Sequence, residues 1–328
     1  MKSKKMFSSV DEILGPSENR FFSSGYRCSE HKISSLTFPE SGKNNCCLEA
    51  TVSLFYPLNW SVKNVGMDVT PHLSTIDMLV LAMQMVETHL SFHFGLNMDD
   101  LDTNHINEIA IHAGTKPQED LNDIPISLVL RRSVEKADDS SRKVSTYECR
   151  VGLMRAVCQI EHPSCGKENN KIEINSLDHL NIKKRYYGLG YKEQKHILSS
   201  VYLDMANLTA DAQVEFILSK EESQGITPEK VSYIDVFVTC AQLAQVLLYS
   251  LDGLSRSETS TLWMIRTIFS EDAGEIKSCD KVKTLVSTSQ IIELNGRKWR
   301  NAEVLGTLGN KKAKITFAHA LPSTKNLI

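Results

Sequence analysis

The chain of 328 residues repeats itself, so its fold must accommodate two similar units in tandem. When Arg20–Ser35 is set over Arg185–Ser200, six of sixteen positions are identical: Arg20/Arg185, Gly25/Gly190, Tyr26/Tyr191, His31/His196, Ser34/Ser199 and Ser35/Ser200. Phe21/Tyr186, Phe22/Tyr187 and Arg27/Lys192 are conservative pairs. Chance supplies about one identity in such a stretch. Downstream, Ser74–Gln84 and Ser232–Gln242 share five of eleven positions, in the pattern S-x-I-D-x-x-V-x-x-x-Q. The offset is 165 for the first match and 158 for the second, so the first copy carries seven extra residues between its motifs. His162 and His319, each closing an apolar run, are a fainter echo. Order and spacing agree, which is the signature of duplication, and chemistry is expected between the copies.

The copies parse alike. An aromatic-glycine arm comes first. Alternating strands are then expected over Leu48–Tyr56 in the first copy and over Ile197–Met205 and Gln213–Leu218 in the second. A long apolar helix follows, about Ser74–Phe94 and about Ser232–Leu251, with Pro71 before the first and Ser74 and Ser232 as N-caps. Both helices are apolar on nearly every side in their first turns, which predicts enclosure. Further strand-like runs are Ile126–Arg131, Val144–Ile160, Val282–Ile292 and Lys312–Ala318. The polar stretch between the copies gives the division 1–165 for the first unit, 166–182 for a linker and 183–328 for the second unit. The fold class is α+β.

With 41% apolar and 23% charged residues, the chain has an ordinary globular composition. A net charge of -3 removes the electrostatic basis for a general nucleic-acid binder. The basic clusters Lys183-Lys184-Arg185 and Lys311-Lys312 with Lys314 read as solvated faces. Eight cysteines without a C-x-x-C pair read as reduced thiols of a cytoplasmic protein. The basic N-terminus lacks the apolar stretch of a signal peptide. Tyr233–Leu251 has the length of a membrane span but holds Asp235, Gln242 and Gln245, so a buried helix is the better reading.

Asp77 and Asp235 are the sharpest catalytic candidates, at repeated positions near the start of buried helices. Burial raises a carboxylate pKa and a helix N-terminus lowers it, so such a group can be tuned as acid or base, or can simply cap its helix. His31 and His196 form a second repeated pair, just ahead of expected strands, and His72 stands at the first helix entrance. At the offset matching His72 lie Glu229 or Lys230, an asymmetry that favours the first copy. Ser74 and Ser232, placed as caps, are also candidate substrate-binding hydroxyls. His162 and His319 read as hydrogen-bonded structural residues. His89 and His93 share a helix face and, with His105 and His112, could make a metal site, but their spacing fits no zinc pattern and neither metal nor cofactor is expected. No dinucleotide loop, P-loop, G-x-S-x-G or H-E-x-x-H is present.

Pro71-His-Leu-Ser-Thr-Ile-Asp77 resembles the H-P-x-x-x-D helix entrance of polyketide synthase dehydratase domains, with His and Pro in reversed order. Those domains are double hotdogs, in which a His of one hotdog faces an Asp from the helix of the other. The plan of strand, buried helix and wrapped antiparallel strands therefore resembles a tandem (double) hotdog. Over more of the chain, Leu14–Tyr26 and Pro71–Ala82 resemble the avirulence D (AvrD) family. That resemblance implies syringolide biosynthesis, a secondary-metabolite pathway: a 3-oxoacyl chain, carried as an acyl carrier protein or CoA thioester, is joined to a small sugar, a ketopentose such as xylulose, giving an acyl sugar lactone signal. The A-factor synthases, also duplicated hotdogs, are similar in function.

The expected reading is a cytoplasmic acyltransferase-type enzyme on 3-oxoacyl thioesters, with Asp77 and Asp235 as acid or base and His31, His72 and His196 as helpers. Two alternatives stand beside it: a dehydratase or thioesterase on acyl thioesters, and a non-catalytic acyl-ligand binding protein.

Overall fold

A computed structural model describes residues 4–39, 46–58, 60–62, 70–165, 185–218, 231–259, 262–272 and 278–322. The linker 166–182 and the positions Glu229 and Lys230 lie outside the described residues.

The first copy runs β2 (Glu30–Thr37), β3 (Cys46–Phe55), α2 (Thr75–Phe94), α3 (Met98–Asp102), β4 (His105–His112), β5 (Ile124–Lys136), β6 (Asp139–Val151) and β7 (Met154–Pro163). Its strands pair antiparallel in the order β2-β3-β5-β6-β7-β4. The second copy runs β8 (Gln194–Asp204), β9 (Thr209–Leu218), α4 (Tyr233–Asp252), β10 (Trp263–Glu271), β11 (Lys281–Leu294), β12 (Arg297–Leu308) and β13 (Lys311–Ala320). Its order, β8-β9-β11-β12-β13-β10, is the same, strand for strand. The N-terminal β1 (Lys4–Ser9), followed by the short α1 (Asp11–Leu14), adds to the outer side of β8. Irregularities repeat too. Ser35 and Ser200 both have left-handed backbone, φ 54° and 49°, and each marks a break in strand register. The repeated serines thus occupy a repeated bulge.

Each sheet packs on one helix. In α2 every residue from Thr75 to Ser91 is buried, and α4 is nearly as enclosed. α4 is long and apolar enough to cross a membrane, yet it is buried as a core helix. This is the double hotdog: in each copy an antiparallel sheet is wrapped around a long apolar helix.

Compactness divides the chain differently from the repeat. One compact unit holds residues 1–29, 56–71 and 192–328; the other holds 30–55 and 72–191. Each copy's arm therefore packs with the other copy's helix. In the unit around α4, Gln242 Nε2 donates to the Phe22 carbonyl (3.2 Å), and Arg20, 2% exposed, donates to Gln242 Oε1 (2.8 Å) and pairs with Asp11. In the unit around α2, Gln84 Nε2 donates to the Tyr187 carbonyl (2.8 Å), and Arg185 forks onto Glu87 (2.6 and 3.2 Å) and reaches Asp102. The repeated Arg and Gln are the two ends of this docking. Gly25 is required as well, since a Cβ there would lie 1.9 Å from the Trp60 carbonyl oxygen.

Three expectations need correction. Val144–Ile160 is two strands, because Gly152, at φ 51°, turns the chain between β6 and β7. His31 and His196 lie within β2 and β8, not ahead of strands. Arg185 is a buried ion-pair residue, not part of a solvated face. The second cluster is the solvated face expected: Lys312 and Lys314 are exposed, in surface ion pairs with Asp272 and Glu303, while Lys311 is half-buried against Glu271. The seven cysteines with described side chains are free thiols, and burial pushes those of Cys158 and Cys240 up to about 12.

Candidate active site

The two long helices begin the same way. Ser74 is the N-cap of α2: its Oγ accepts from the Asp77 N–H (3.2 Å), while Asp77 Oδ2 accepts from the Ser74 N–H (3.0 Å) and from its hydroxyl. Ser232 and Asp235 repeat this capping box on α4, at 3.2 and 2.7 Å. The cap uses one carboxylate oxygen and leaves the other directed at the sheet.

That second oxygen meets a histidine. His31 Nε2 lies 2.7 Å from Asp77 Oδ1, and His196 Nε2 lies 2.8 Å from Asp235 Oδ1. Both aspartates are 1% exposed. An ionised carboxylate only accepts, so the facing Nε2 carries the proton and Nδ1 of the neutral ring is left with a lone pair. Each pair is thus an oriented imidazole with its basic nitrogen turned away from the acid. Both form within one copy of the repeat. The arrangement considered for a dehydratase, a His of one copy facing a carboxylate of the other, is therefore not the one these four residues make.

The pairs differ at Nδ1. His196 Nδ1 lies 3.4 Å from the hydroxyl of Tyr26, and its side chain is 1% exposed. Among the described residues, the bond to Asp77 is the only hydrogen bond of the His31 ring, whose side chain is 7% exposed. β8 has strands on both sides, β1 and β9, whereas β2 is paired by β3. The His31–Asp77 pair is the more open one.

His72 lies two residues before the cap and is half-buried; the partner of Asp77 comes instead from β2. His89 Nδ1 lies 3.1 Å from the Tyr147 hydroxyl, and its ring stacks on His93 with centroids 5.0 Å apart. No cluster of three or more metal-ligating side chains occurs among the described residues, His105 and His112 among them. His162 is held by Ser145 and by the Pro163 carbonyl, both at 2.7 Å, in the structural role expected. His319 Nε2 stands 3.1 Å from Asp252, at ion-pair distance but without hydrogen-bond alignment. Sequence reasoning missed Tyr26. The signal was present, since a tyrosine precedes each repeated histidine by five positions: Tyr26 and His31, Tyr191 and His196.

A family model described as Pseudomonas avirulence D protein (AvrD) matches residues 5–322. No curated protein matches the sequence. Solved structures that resemble the fold include a putative oleoyl thioesterase from Lactobacillus plantarum, at 9% identity over 90% of this chain and 97% of that one, with a TM-score of 0.39. An acyl-ACP thioesterase from Bacteroides thetaiotaomicron has 10% identity over 90% and 99%, with a TM-score of 0.38. The dehydratase domain from the CurJ module of curacin polyketide synthase has 12% identity over 87% and 94%, with a TM-score of 0.37. At these values the fold assignment stands on the strand order and the enclosed helices.

Proposed function

The chain belongs to the AvrD family, and from that premise we propose that it is a cytoplasmic acyl-thioester enzyme that joins a 3-oxoacyl chain to a small sugar, with His31 and Asp77 as its working pair. The observation that carries the choice is the unengaged Nδ1 of His31, set against the same nitrogen of His196 facing Tyr26. In this reading His31 Nδ1 takes the proton of the attacking sugar hydroxyl. Asp77 holds the ring in place and stabilises the imidazolium. The oxygen–carbon bond forms, the carbon–sulfur bond breaks, and the proton passes from His31 to the departing thiolate. First-turn N–H groups of a helix have no intrahelical acceptor, and those of α2 adjoin Asp77, where they can meet negative charge on the thioester carbonyl. The acyl donor is an acyl carrier protein or CoA thioester, the acceptor is a ketopentose such as xylulose, and the immediate product is the sugar ester, which becomes a syringolide-like lactone when the acyl C2 adds to the sugar ketone and closes the ring. The His196–Asp235 pair serves the fold in this scheme, and no cofactor is needed.

The test is mass spectrometry of lipids and medium from cells expressing the protein, beside Asp77→Asn, His31→Gln and His196→Gln. A new acyl sugar or lactone is expected from the wild type and from His196→Gln. The other two should make at least about 100-fold less, the usual scale for loss of a general base. Their melting curves should stay close to wild type, since Asn keeps an oxygen for the cap. Full product from Asp77→Asn would end the proposal. A soluble, folded wild type that makes no such product would shift weight to a dehydratase, a thioesterase or an acyl-ligand binder.

A further inference from the structure

We propose that Arg27 and Lys192 form a binding site for a phosphate monoester in the unit that contains α4. Arg27 lies in the short 3-10 turn Gly25–Cys28, directly after the tyrosine that faces His196. Its Nε is shielded from water and has no hydrogen-bond partner. Among the described residues its guanidinium has no carboxylate partner either. Other enclosed arginines are all engaged: Arg20 by Asp11 and Gln242, Arg185 by Glu87 and Asp102, Arg300 by Asp252, and Arg256 by the carbonyls of Asn19 and Val62. A buried N–H without an acceptor is rare in native proteins and asks for an explanation.

Two further observations point to an anion. The repeat keeps a cation at this position in both copies, Arg27 and Lys192. The Lys192 ammonium also donates to the Ser29 carbonyl, two residues from Arg27. A guanidinium whose Nε lacks an acceptor and an ammonium bonded to the Ser29 carbonyl are thus both anchored on the short stretch Arg27–Ser29. A carboxylate would satisfy the fork alone. A phosphate monoester carries more charge and further acceptor oxygens, so it can take the bidentate fork and the ammonium together. This site is independent of whether His31 and Asp77 catalyse, and its occupant is either the phosphate of a pantetheine carrier or that of a phosphorylated sugar.

Calorimetric titration of the full-length protein separates the sources without requiring turnover. The probes are phosphopantetheine against pantetheine, and a ketopentose 5-phosphate against the free ketopentose. In at least one pair the phosphate-bearing member should bind tenfold tighter or more, and that pair identifies the source. Arg27→Gln should abolish the preference. Where Arg27→Gln does not fold, Arg27→Lys carries the test, because it keeps the charge and loses the fork; a weakening of at least threefold is expected. Equal binding within both pairs, or a phosphate preference that survives substitution of Arg27, would overturn the site.

Discussion

Burial holds two histidines neutral, His89 on α2 and His162 on β7. His89 is 3% exposed, and its imidazole is pushed down to about 3 by burial, with repulsion from His93 and His162 adding to the effect. His162 is fully buried, which pushes it down to about 4, although its bond to the Pro163 carbonyl acts the other way. In the unfolded chain both titrate near 6.5. Above that pH both states are neutral and nothing is lost. Below it the unfolded chain takes up protons that the native fold refuses. Stability should therefore fall as pH drops from about 6.5, through His162 until about 4 and through His89 until about 3, by up to about 1.4 kcal/mol per pH unit for each. Urea midpoints between pH 7 and pH 4.5 measure this. His89→Gln combined with His162→Gln should remove most of the slope, and an unchanged slope would refute the assignment. Neither histidine is among the proposed catalytic residues, so the effect is one of stability alone. Duplication made Asp77, Asp235, His31 and His196 legible in the sequence, because two copies print the same letters twice. Their pairing was not legible, since it joins residues 46 and 39 positions apart through sheet geometry.

The arm docked on a helix is the element that distinguishes this double hotdog from two hotdogs in a row. Arg185 and Glu87 are both largely shielded from water and bonded twice, at 2.6 and 3.2 Å. Attraction raises the Arg185 pKa against burial, which acts to lower it. A buried pair of this kind adds little over well-packed apolar groups, but breaking it leaves a charge stranded. Arg185→Met alone should therefore cost about 3–5 kcal/mol, and Arg185→Met with Glu87→Leu should recover most of that loss, as measured by urea unfolding. Equal losses in the single and double variants would show that the arm binds through its aromatic residues instead. The central helices were legible to within a residue because their first halves are almost entirely apolar apart from the repeated cap and Gln. Several strands were not. β2 alternates weakly around its serine bulge, β4 carries His105, Glu108 and His112, and β12 opens on charged residues and contains Gly306, whose missing side chain admits Cys240 of α4. Each of these dilutes the two-residue period by which a strand is recognised.

At the scale of the molecule, the copies are long enough to fold alone, and the arms say that they do not. Residues 1–165 by themselves contain α2 but lack Tyr187, which receives Gln84, and Arg185, which neutralises Glu87. Residues 183–328 contain α4 but lack β1, the Arg20 that bonds Gln242, and the Tyr26 at His196. Losing the Arg185 partner alone costs about 3–5 kcal/mol, against about 5–15 kcal/mol for the whole stability of a typical domain. Each half expressed separately should therefore lack a cooperative melt as a monomer. Co-expressed, the halves should co-purify in equal amounts and regain one, at a midpoint below that of the intact chain, because fusion supplies an effective concentration that separate chains lack. The second half has another route. Arg185 matches Arg20 and Tyr191 matches Tyr26, so its own arm can dock on the α4 of a second molecule, and any soluble fraction should be a dimer by light scattering. A half that is monomeric and melts cooperatively near the midpoint of the intact chain would show the arms to be dispensable, leaving two independent hotdogs joined only by sequence.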